Sequence, residues 1–415
     1  MSQVKTGKLH RAYLVAAGVI LLMFPMCFIL NAASIFYTPV TTELGISRTM
    51  FGIHISITEA TMALMLPTIN KLFKKYDTRI TVTACMILEG LAYFLNSRAT
   101  GIVMFYIDAF ILGCCESLLI YLIIPVLMNN WFAKNTGLWI GICGAAQGVA
   151  GMLFNSVGAA VIASTGWRSC YLLWAAVCIV IGVPASLIFI RYSPESVGLK
   201  PVGYDPQNTS AGTEEKPKGI AMKDAVKMGA FWTVALCPLL MAFGCNVNMV
   251  FNDYYLGIGL TTVLAGTAAS TVMLGNMIGK MIIGGIADRS LKLATICSGA
   301  GILAMLLFIM VAPHTIWVTW VAAALFGITY GACNTLGPIL VKNVFGLKEF
   351  SAIWSQASRL QAISVTFATT LWALIVDNVG YSNALWISFG LFIIAVVLGL
   401  KSLSDAKKIQ AMWTE

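Results

Sequence analysis

The sequence predicts an all-α membrane protein: twelve transmembrane helices in two six-helix pseudo-repeats. Three observations predict it. Hydrophobic residues fill 59% of the 415 positions and charged residues only 10%, with a mean hydropathy of +0.86. A soluble domain carries roughly 25% charged residues and has no interior large enough for so much apolar surface, so the solvent for most of this chain is lipid. The basic residues sort between loops by side. Residues of the same kind recur at one fixed separation.

A membrane-crossing helix needs about 20 mostly apolar residues. Such runs fall at 12–38, 49–70, 79–96, 101–128, 136–163, 168–191, 229–256, 264–286, 293–312, 316–341, 352–376 and 381–402. The first follows Lys5, Lys8 and Arg11 in the manner of a signal peptide, but it is too long for a signal-peptide apolar core and is read as a span. Between the sixth and seventh runs lies a long polar stretch, 192–228, with the Ser, Thr, Glu, Lys and Gly composition of a hydrated linker. Asn208-Thr-Ser within it matches a glycosylation sequon and is read as a chance match. The expected division is a six-helix half at 1–191, a linker at 192–228 and a second half at 229–415. The eleven cysteines lie nearly all in apolar runs and form no CxxC pair. They are read as small membrane-core residues, not as metal ligands or a disulfide framework.

Of the 26 Lys and Arg residues, alternation from a cytoplasmic N-terminus leaves only Arg48, Arg98 and Arg168 outside, with Lys280 and Arg359 inside spans. All others fall on the cytoplasmic side. The positive-inside rule therefore predicts cytoplasmic termini and a plasma-membrane location, the inner membrane in a bacterium. The net charge of +9 reflects topology, and no nucleic-acid partner is implied. Pro25 and Pro238 are 213 positions apart, as are Arg79 and Lys292, Pro125 and Pro338, Asn130 and Asn343, and Phe132 and Phe345. Two parallel six-helix repeats joined by a linker point to a transporter with its site between the halves.

Five charged residues sit inside spans: Glu59, Glu89, Glu116, Lys280 and Arg359. A charge at mid-bilayer costs about 2.5–3.5 kcal/mol, so each is expected to face a cavity or a partner. Lys280 shares a helix face with Asn276 and Gly284, and Arg359 with Ser355 and Gln356. Both cations lie about five to seven residues from the cytoplasmic ends of their spans, at similar depth. Together they would receive an anion; alternatively, each neutralises a buried glutamate or snorkels to the cytoplasm. Glu59 and Glu116 are candidates for substrate contact or proton coupling, Glu89 for a structural role. Asp108, near the outer end of the fourth span, is expected at an exposed interface. With all three glutamates ionised the span interior is net −1, which requires a protonated acid or a substrate that also carries a positive group.

Gly284-Gly-Ile-Ala-Asp288-Arg289-Ser-Leu-Lys292 is similar to the Gly-x-x-x-Asp-Arg loop motif of the major facilitator superfamily, and the chain resembles that superfamily along its full length. The sister loop at 70–79 is basic but lacks the glycine and the motif aspartate. Within the superfamily the chain looks most like the oxalate–formate antiporter and monocarboxylate-porter branch. Asn130-Trp-Phe-Ala-Lys134, Gly166-Trp-Arg168 and Pro194-Glu-Ser-Val-Gly-Leu-Lys-Pro-Val-Gly203 carry that resemblance. It implies a major facilitator fold, with Lys280 and Arg359 matching a carboxylate-holding Arg and Lys of that branch, the two residue types exchanged. Arg offers a planar fork where Lys offers a point charge, so the exchange alters geometry. The branch pattern has no counterpart for Glu59 or Glu116.

The resemblance also implies that Asn31, Tyr37, Tyr121, Gln147, Asn248, Asn252, Tyr330, Trp354 and Gln356 lie on cavity-lining helices, and that Asp253 with Tyr254 and Tyr255 borders an outer gate. Gly284, Asp288 and Arg289 would form a cytoplasmic gate. Gly144-x-x-x-Gly148 and Gly275-x-x-x-Gly279 permit close helix approach and are candidates for a rocking surface between the fifth and eighth spans. The expected function is secondary transport of small organic anions, carboxylates in particular, by proton symport or anion exchange. The alternative is a zwitterionic or cationic solute anchored by Glu59 and Glu116. A sensor that binds without transporting is a third reading. There is no phosphate-binding loop, metal-ligand cluster or nucleophile elbow, so an enzyme, a cofactor and a metal are not expected. The expected partners are the solute, protons and the bilayer, and the expected state is a monomer.

Overall fold

A computed structural model describes residues 10–26, 33–204 and 218–413. The spans are α1 Arg11–Met26, α2 Arg48–Lys75, α3 Thr78–Ser97, α4 Ile102–Trp131, α5 Thr136–Thr165 and α6 Trp167–Phe189. After the linker come α7 Gly229–Val250, α8 Thr262–Arg289, α9 Leu291–Val311 and α10 Val318–Phe345. The helical run Phe350–Gln410 is broken by Gly380, whose φ of 80° and ψ of 167° are not helical. It divides there into α11 (350–379) and α12 (381–410). Gly166, at φ 88°, makes the equivalent turn between α5 and α6. A side chain at either position would be strained. Among the described residues ten helices are long and apolar enough to cross a membrane; α1 and α11 complete the twelve.

Polar residues set the helix starts. Ser47 accepts from Met50 N at the start of α2, Asp77 from Arg79 N at α3, Thr261 from Leu264 N at α8 and Ser290 from Leu293 N at α9. Each satisfies an amide that the first turn leaves unbonded. Several helices run further than hydropathy indicates. Their last turns carry Lys74 and Lys75, Arg289, and Lys407 and Lys408, where cations oppose the helix dipole. Apolar residues such as Ile80, Val103, Val180 and Phe367 are exposed on the outside of the bundle, as a lipid-facing surface requires.

The Asp77 cap is tightened by its own neighbour: the Arg79 side chain bonds the carboxylate at 2.7 Å. That hydrogen bond holds the Asp77 carboxyl below its ordinary value. The stabilisation is therefore present at neutral pH and lost as the carboxyl is protonated in acid. Asp77→Ala is expected to lower stability by about 1 kcal/mol at neutral pH and by less at low pH. Thermal unfolding of the detergent-solubilised protein at both pH values checks this.

Within the first six spans α2 packs on α4; within the last six α8 packs on α10, and α7 on the 350–410 run. Two large contacts join the sets, α5 with α8 and α2 with the 350–410 run, and a smaller one sets α5 against α10. The linker is docked at both ends. Val202 N donates to Trp131 O and Ala133 N to Val202 O; Ile220 N donates to Phe345 O and Leu347 N to Lys218 O. These anchor points, at the ends of α4 and α10, lie at nearly equivalent places: Trp131 O and Phe345 O are 214 positions apart, one more than the 213-residue offset. The end of the bundle that carries the linker is called the linker face below.

Candidate functional site

A small cavity of about 50 Å³ lies between the two sets of helices. Tyr121 of α4, Gln147 of α5, Lys280 of α8, Asn334 and Thr335 of α10, and Trp354 of α11 line it. By the volume one water needs, it has room for about three or four waters. The gap is contracted around its polar groups.

Lys280 is 5% exposed. Its Nζ donates to Gly144 O at 3.1 Å and to Gln147 Oε1 at 3.0 Å, both on α5. Glycines on α5 make room for it. A Cβ added at Gly144 would stand 3.3 Å from Lys280 Cδ, and one at Gly141 only 2.2 Å from Lys280 O. The ammonium thus donates to two neutral oxygens on the opposite set of helices, and an ammonium is also a group that a carboxylate oxygen can pair with.

A proline shapes the wall opposite. Pro125 has no N–H, so the carbonyl four residues earlier, Tyr121 O, loses its helical donor. The helix breaks at Leu122. Trp354 Nε1 donates to Tyr121 O at 2.7 Å across the α4–α11 contact. Gly337 lets the indole lie against α10, since a Cβ there would come within 2.8 Å of the ring. Pro338, the repeat partner of Pro125, likewise removes the helical donor for Asn334 O. Asn334 Oδ1 accepts from Gln361 Nε2 at 2.9 Å.

The other expected site residues are distributed as follows. Arg359 lies nine residues into α11 as Lys280 lies nine before the end of α8. It is half-buried, with Nε buried and unbonded among the described residues, but it does not line the cavity. Gln356 and Tyr330 are half-buried and do not line it either. Glu59 is half-buried and within electrostatic reach of Glu116, Tyr121 and Tyr330. Glu116 and Glu89 are fully buried, and none of their carboxylate oxygens has a hydrogen-bond partner among the described residues. So neither glutamate is neutralised by Lys280 or Arg359 through a hydrogen-bonded pair. Asn31 and the side chains of Asn252 and Asp253 lie outside the described residues. Asp108 departs from expectation: it is 1% exposed, packed inside the bundle, with both carboxylate oxygens unbonded among the described residues.

The linker face is closed beside this cavity. Asp288 accepts from Gly137 N and Leu138 N, each at 2.7 Å, and so caps the first turn of α5 from the end of α8. Charge and helix dipole cooperate there. Gly284 enables the approach, because a Cβ on it would come to 2.1 Å from Gly137 O. Lys342 Nζ donates to Thr136 Oγ1 at 3.1 Å on the same seam. Arg289 is exposed. Of the two glycine pairs, Gly148 faces Met277 and Gly144 faces Lys280 on α8. Gly275 and Gly279 instead face Ala324, Gly327 and Ile328 of α10. The α5–α8 seam is therefore Gly137, Gly141, Gly144 and Gly148 against Lys280 and Gly284, and Gly275-x-x-x-Gly279 packs α8 onto α10.

Asn334 and Thr335 carry no charge or pattern that singles them out in sequence, and Lys342 reads there only as one of the cytoplasmic basic residues; the one signal is Pro338, four residues after Asn334. The branch-like motifs have structural work in this fold. Asn130 Nδ2 donates to Tyr192 O and Trp131 Nε1 to Arg191 O, fastening the linker to α4. Trp167 Nε1 donates to Glu43 Oε2 at 2.6 Å, and Arg168 pairs with the same carboxylate.

A family profile described as Major Facilitator Superfamily matches residues 19–358. An uncharacterized MFS-type transporter, YhjX of Escherichia coli K12, is 23% identical over 288 residues, covering 68% of each chain. Membrane sensor protein UhpC of Salmonella typhimurium is 24% identical, over 60% of this chain and 56% of its own. A putative tartrate transporter of Agrobacterium vitis is 25% identical, over 66% of this chain and 64% of its own. The alignments thus span between about half and two thirds of these relatives. Among solved structures, the proton:xylose symporter XylE bound to 6-bromo-6-deoxy-D-glucose superposes with a TM-score of 0.68 at 13% identity, covering 94% of each chain. At that identity the likeness is one of fold.

Proposed function

The chain belongs to the Major Facilitator Superfamily, a multi-pass membrane transporter and not an enzyme, and from that premise we propose that it carries small organic anions, carboxylates in particular, by alternating access. One observation carries the reading: a buried lysine, Lys280, reaches from α8 across the boundary between the helix sets into the central cavity. The putative tartrate transporter among the relatives supports a carboxylate substrate. In this reading Lys280 takes the carboxylate, Tyr121 and Trp354 wall it, and Arg359 with Gln356, Tyr330 and Asn31 completes the site when the cavity widens. Binding replaces the bonds of Lys280 to α5 with bonds to the anion. That loosens the α5–α8 seam, and the carrier rocks. Glu59 and Glu116 couple the cycle to protons; anion exchange is the variant in which they stay fixed. The basic linker face, with both termini, faces the cytoplasm of a plasma membrane, and Gly284, Asp288 and Arg289 close that side. The carrier works as a monomer.

A zwitterionic or cationic solute is the second reading, favoured by the buried carboxylates of the first six spans that have no hydrogen-bond partner among the described residues. The likeness to UhpC raises a sensor as the third. Thermal stabilisation of the purified protein against carboxylates, amino acids and amines, followed by liposome counterflow of the hits, separates all three, because ligands of the native state raise its stability. Stabilisation and counterflow by carboxylates alone is the expected result. Stabilisation by amines or zwitterions instead overturns it, and stabilisation without flux makes the protein a sensor.

A further inference from the structure

We propose that a pocket on the linker face, walled by both sets of helices, is a binding site for a small dianion of the phosphate-monoester or dicarboxylate type, and that this ligand holds the face closed. Binding is a property of the pocket alone; its effect on transport rests on the alternating-access reading above.

The pocket has a volume of about 560 Å³, within the range of small-molecule sites and far larger than the cavity of about 50 Å³ around Lys280. One wall is the turn from α4 into α5, with Lys134, Asn135 and Thr136. The other is the end of α10, with Lys342 and Asn343, and the segment after α12, with Trp413. The first wall is fixed by its turn. Asn135 is left-handed at φ 57°, a conformation asparagine tolerates better than most side chains. The linker straps the turn down, with Ala133 N donating to Val202 O at 2.9 Å. Gly203, next in the linker, runs so close that a Cβ on it would stand 2.9 Å from Lys134 Cβ.

The second wall is built by capping. A helix leaves its last four carbonyls without helical donors. Gln410 Nε2 donates to Asn343 O at 2.8 Å and Trp413 Nε1 to Val344 O at 3.1 Å. These bonds fix the indole in the wall and cover carbonyls that would repel an anion.

The charges favour an anion. Lys342 Nζ donates to Thr136 Oγ1 at 3.1 Å, while that hydroxyl donates to Phe132 O at 2.8 Å. The bond bridges the walls and sets the Lys342 ammonium against a residue two positions from Lys134. Neither lysine is in an ion pair among the described residues. Asp288, the acid in the lining, has each carboxylate oxygen on an amide of the first turn of α5, at 2.7 Å, so its charge is met by that helix end. One cation therefore stands on each wall, among the amides of Asn135 and Asn343. A ligand with two negative groups answers both cations; a monovalent anion answers one. Because the walls belong to opposite sets of helices, a ligand bound to both is held only while the linker face is closed. It stabilises that state by its differential affinity, so it slows the cycle without entering the central cavity.

Thermal unfolding in the Lys280→Gln background tests the pocket apart from the central cavity. Glycerol phosphate, succinate and sulfate are added at constant ionic strength, with chloride as the control. The dianions are expected to raise the unfolding temperature, and chloride is not. Adding Lys134→Gln, at an exposed position whose loss leaves the fold intact, is expected to weaken the dianion about tenfold, the scale of one hydrogen bond to a charged group. In native proteoliposomes the same dianion on the linker side is expected to lower carboxylate counterflow by about half or more at saturation. Excess solute on the far side does not relieve that slowing. Lys134→Gln is expected to remove it without changing the rate in the dianion's absence. A response to glycerol phosphate alone, to succinate alone or to all three supports the pocket and names its chemistry. No stabilisation in the Lys280→Gln protein, or stabilisation indifferent to Lys134, overturns the site. So does slowing that excess solute relieves, which would put the dianion in the central cavity, and so does stabilisation by anionic phospholipid with none by a soluble dianion. Stabilisation through Lys134 in a native chain that shows no carboxylate counterflow leaves the pocket standing and sinks the substrate assignment.

Discussion

Lys280→Gln is expected to abolish stabilisation by carboxylates while leaving the ligand-free protein at least as stable as the native chain. Glutamine keeps an N–H donor on the side of Gly144 O and Gln147 Oε1, one bond shorter than the lysine it replaces. The variant removes an ammonium that is 5% exposed, and discarding a desolvated charge does not weaken the apo fold. The ligand, in contrast, loses its charged partner. Losing one member of a buried charge pair costs about 2–5 kcal/mol, so affinity should fall at least tenfold and by several orders of magnitude at the upper end. Thermal shifts of native and variant protein with the same carboxylate decide the matter. A shift that survives the substitution removes Lys280 from the site.

The second large effect is expected at the α5–α8 seam. Gly284→Ala drives a methyl into Gly137 O, and Gly141→Ala drives one into Lys280 O. Both neighbours are backbone, so no rotamer change relieves the overlap. Overpacking costs typically about 1–3 kcal/mol. Alternative states of such a carrier differ by only a few kcal/mol, so the seam should part and the population move toward a state open on the linker face. Labels at the exposed positions 134 and 292 should report a longer mean distance in either variant, with slower carboxylate counterflow. An unchanged distance with native counterflow would show that the seam does not gate.

The spans were legible because lipid imposes length and hydropathy on every one of them. Their charged last turns were not, since Lys74, Lys75 and Arg289 continue the helices beyond the apolar zone. Helix faces were harder still. Lipid tails are as apolar as leucine, so hydropathy does not mark which side of a membrane helix is buried in protein. That is why Asp108 read as interfacial although it packs inside, and why Gly275 and Gly279 read as facing α5 although they face α10. A charge resists this ambiguity, because lysine has few tolerable places within a membrane. Lys280 reaches the cavity as its chemistry requires, whereas Arg359, chosen by the same reasoning, stands outside the contracted cavity.

The bond from Trp354 to Tyr121 O ties together positions that no local rule connects. If Pro125 were replaced by an ordinary residue, the restored amide would compete for the Tyr121 carbonyl, and a buried indole N–H without an acceptor costs about 1–3 kcal/mol. If Trp354 were lost first, the carbonyl freed by the proline would have no donor. Neither change is neutral while the other residue stays. The proline of α4 and the tryptophan of α11 must therefore change together or not at all, which makes them a single mutational unit split between the first six spans and the last six.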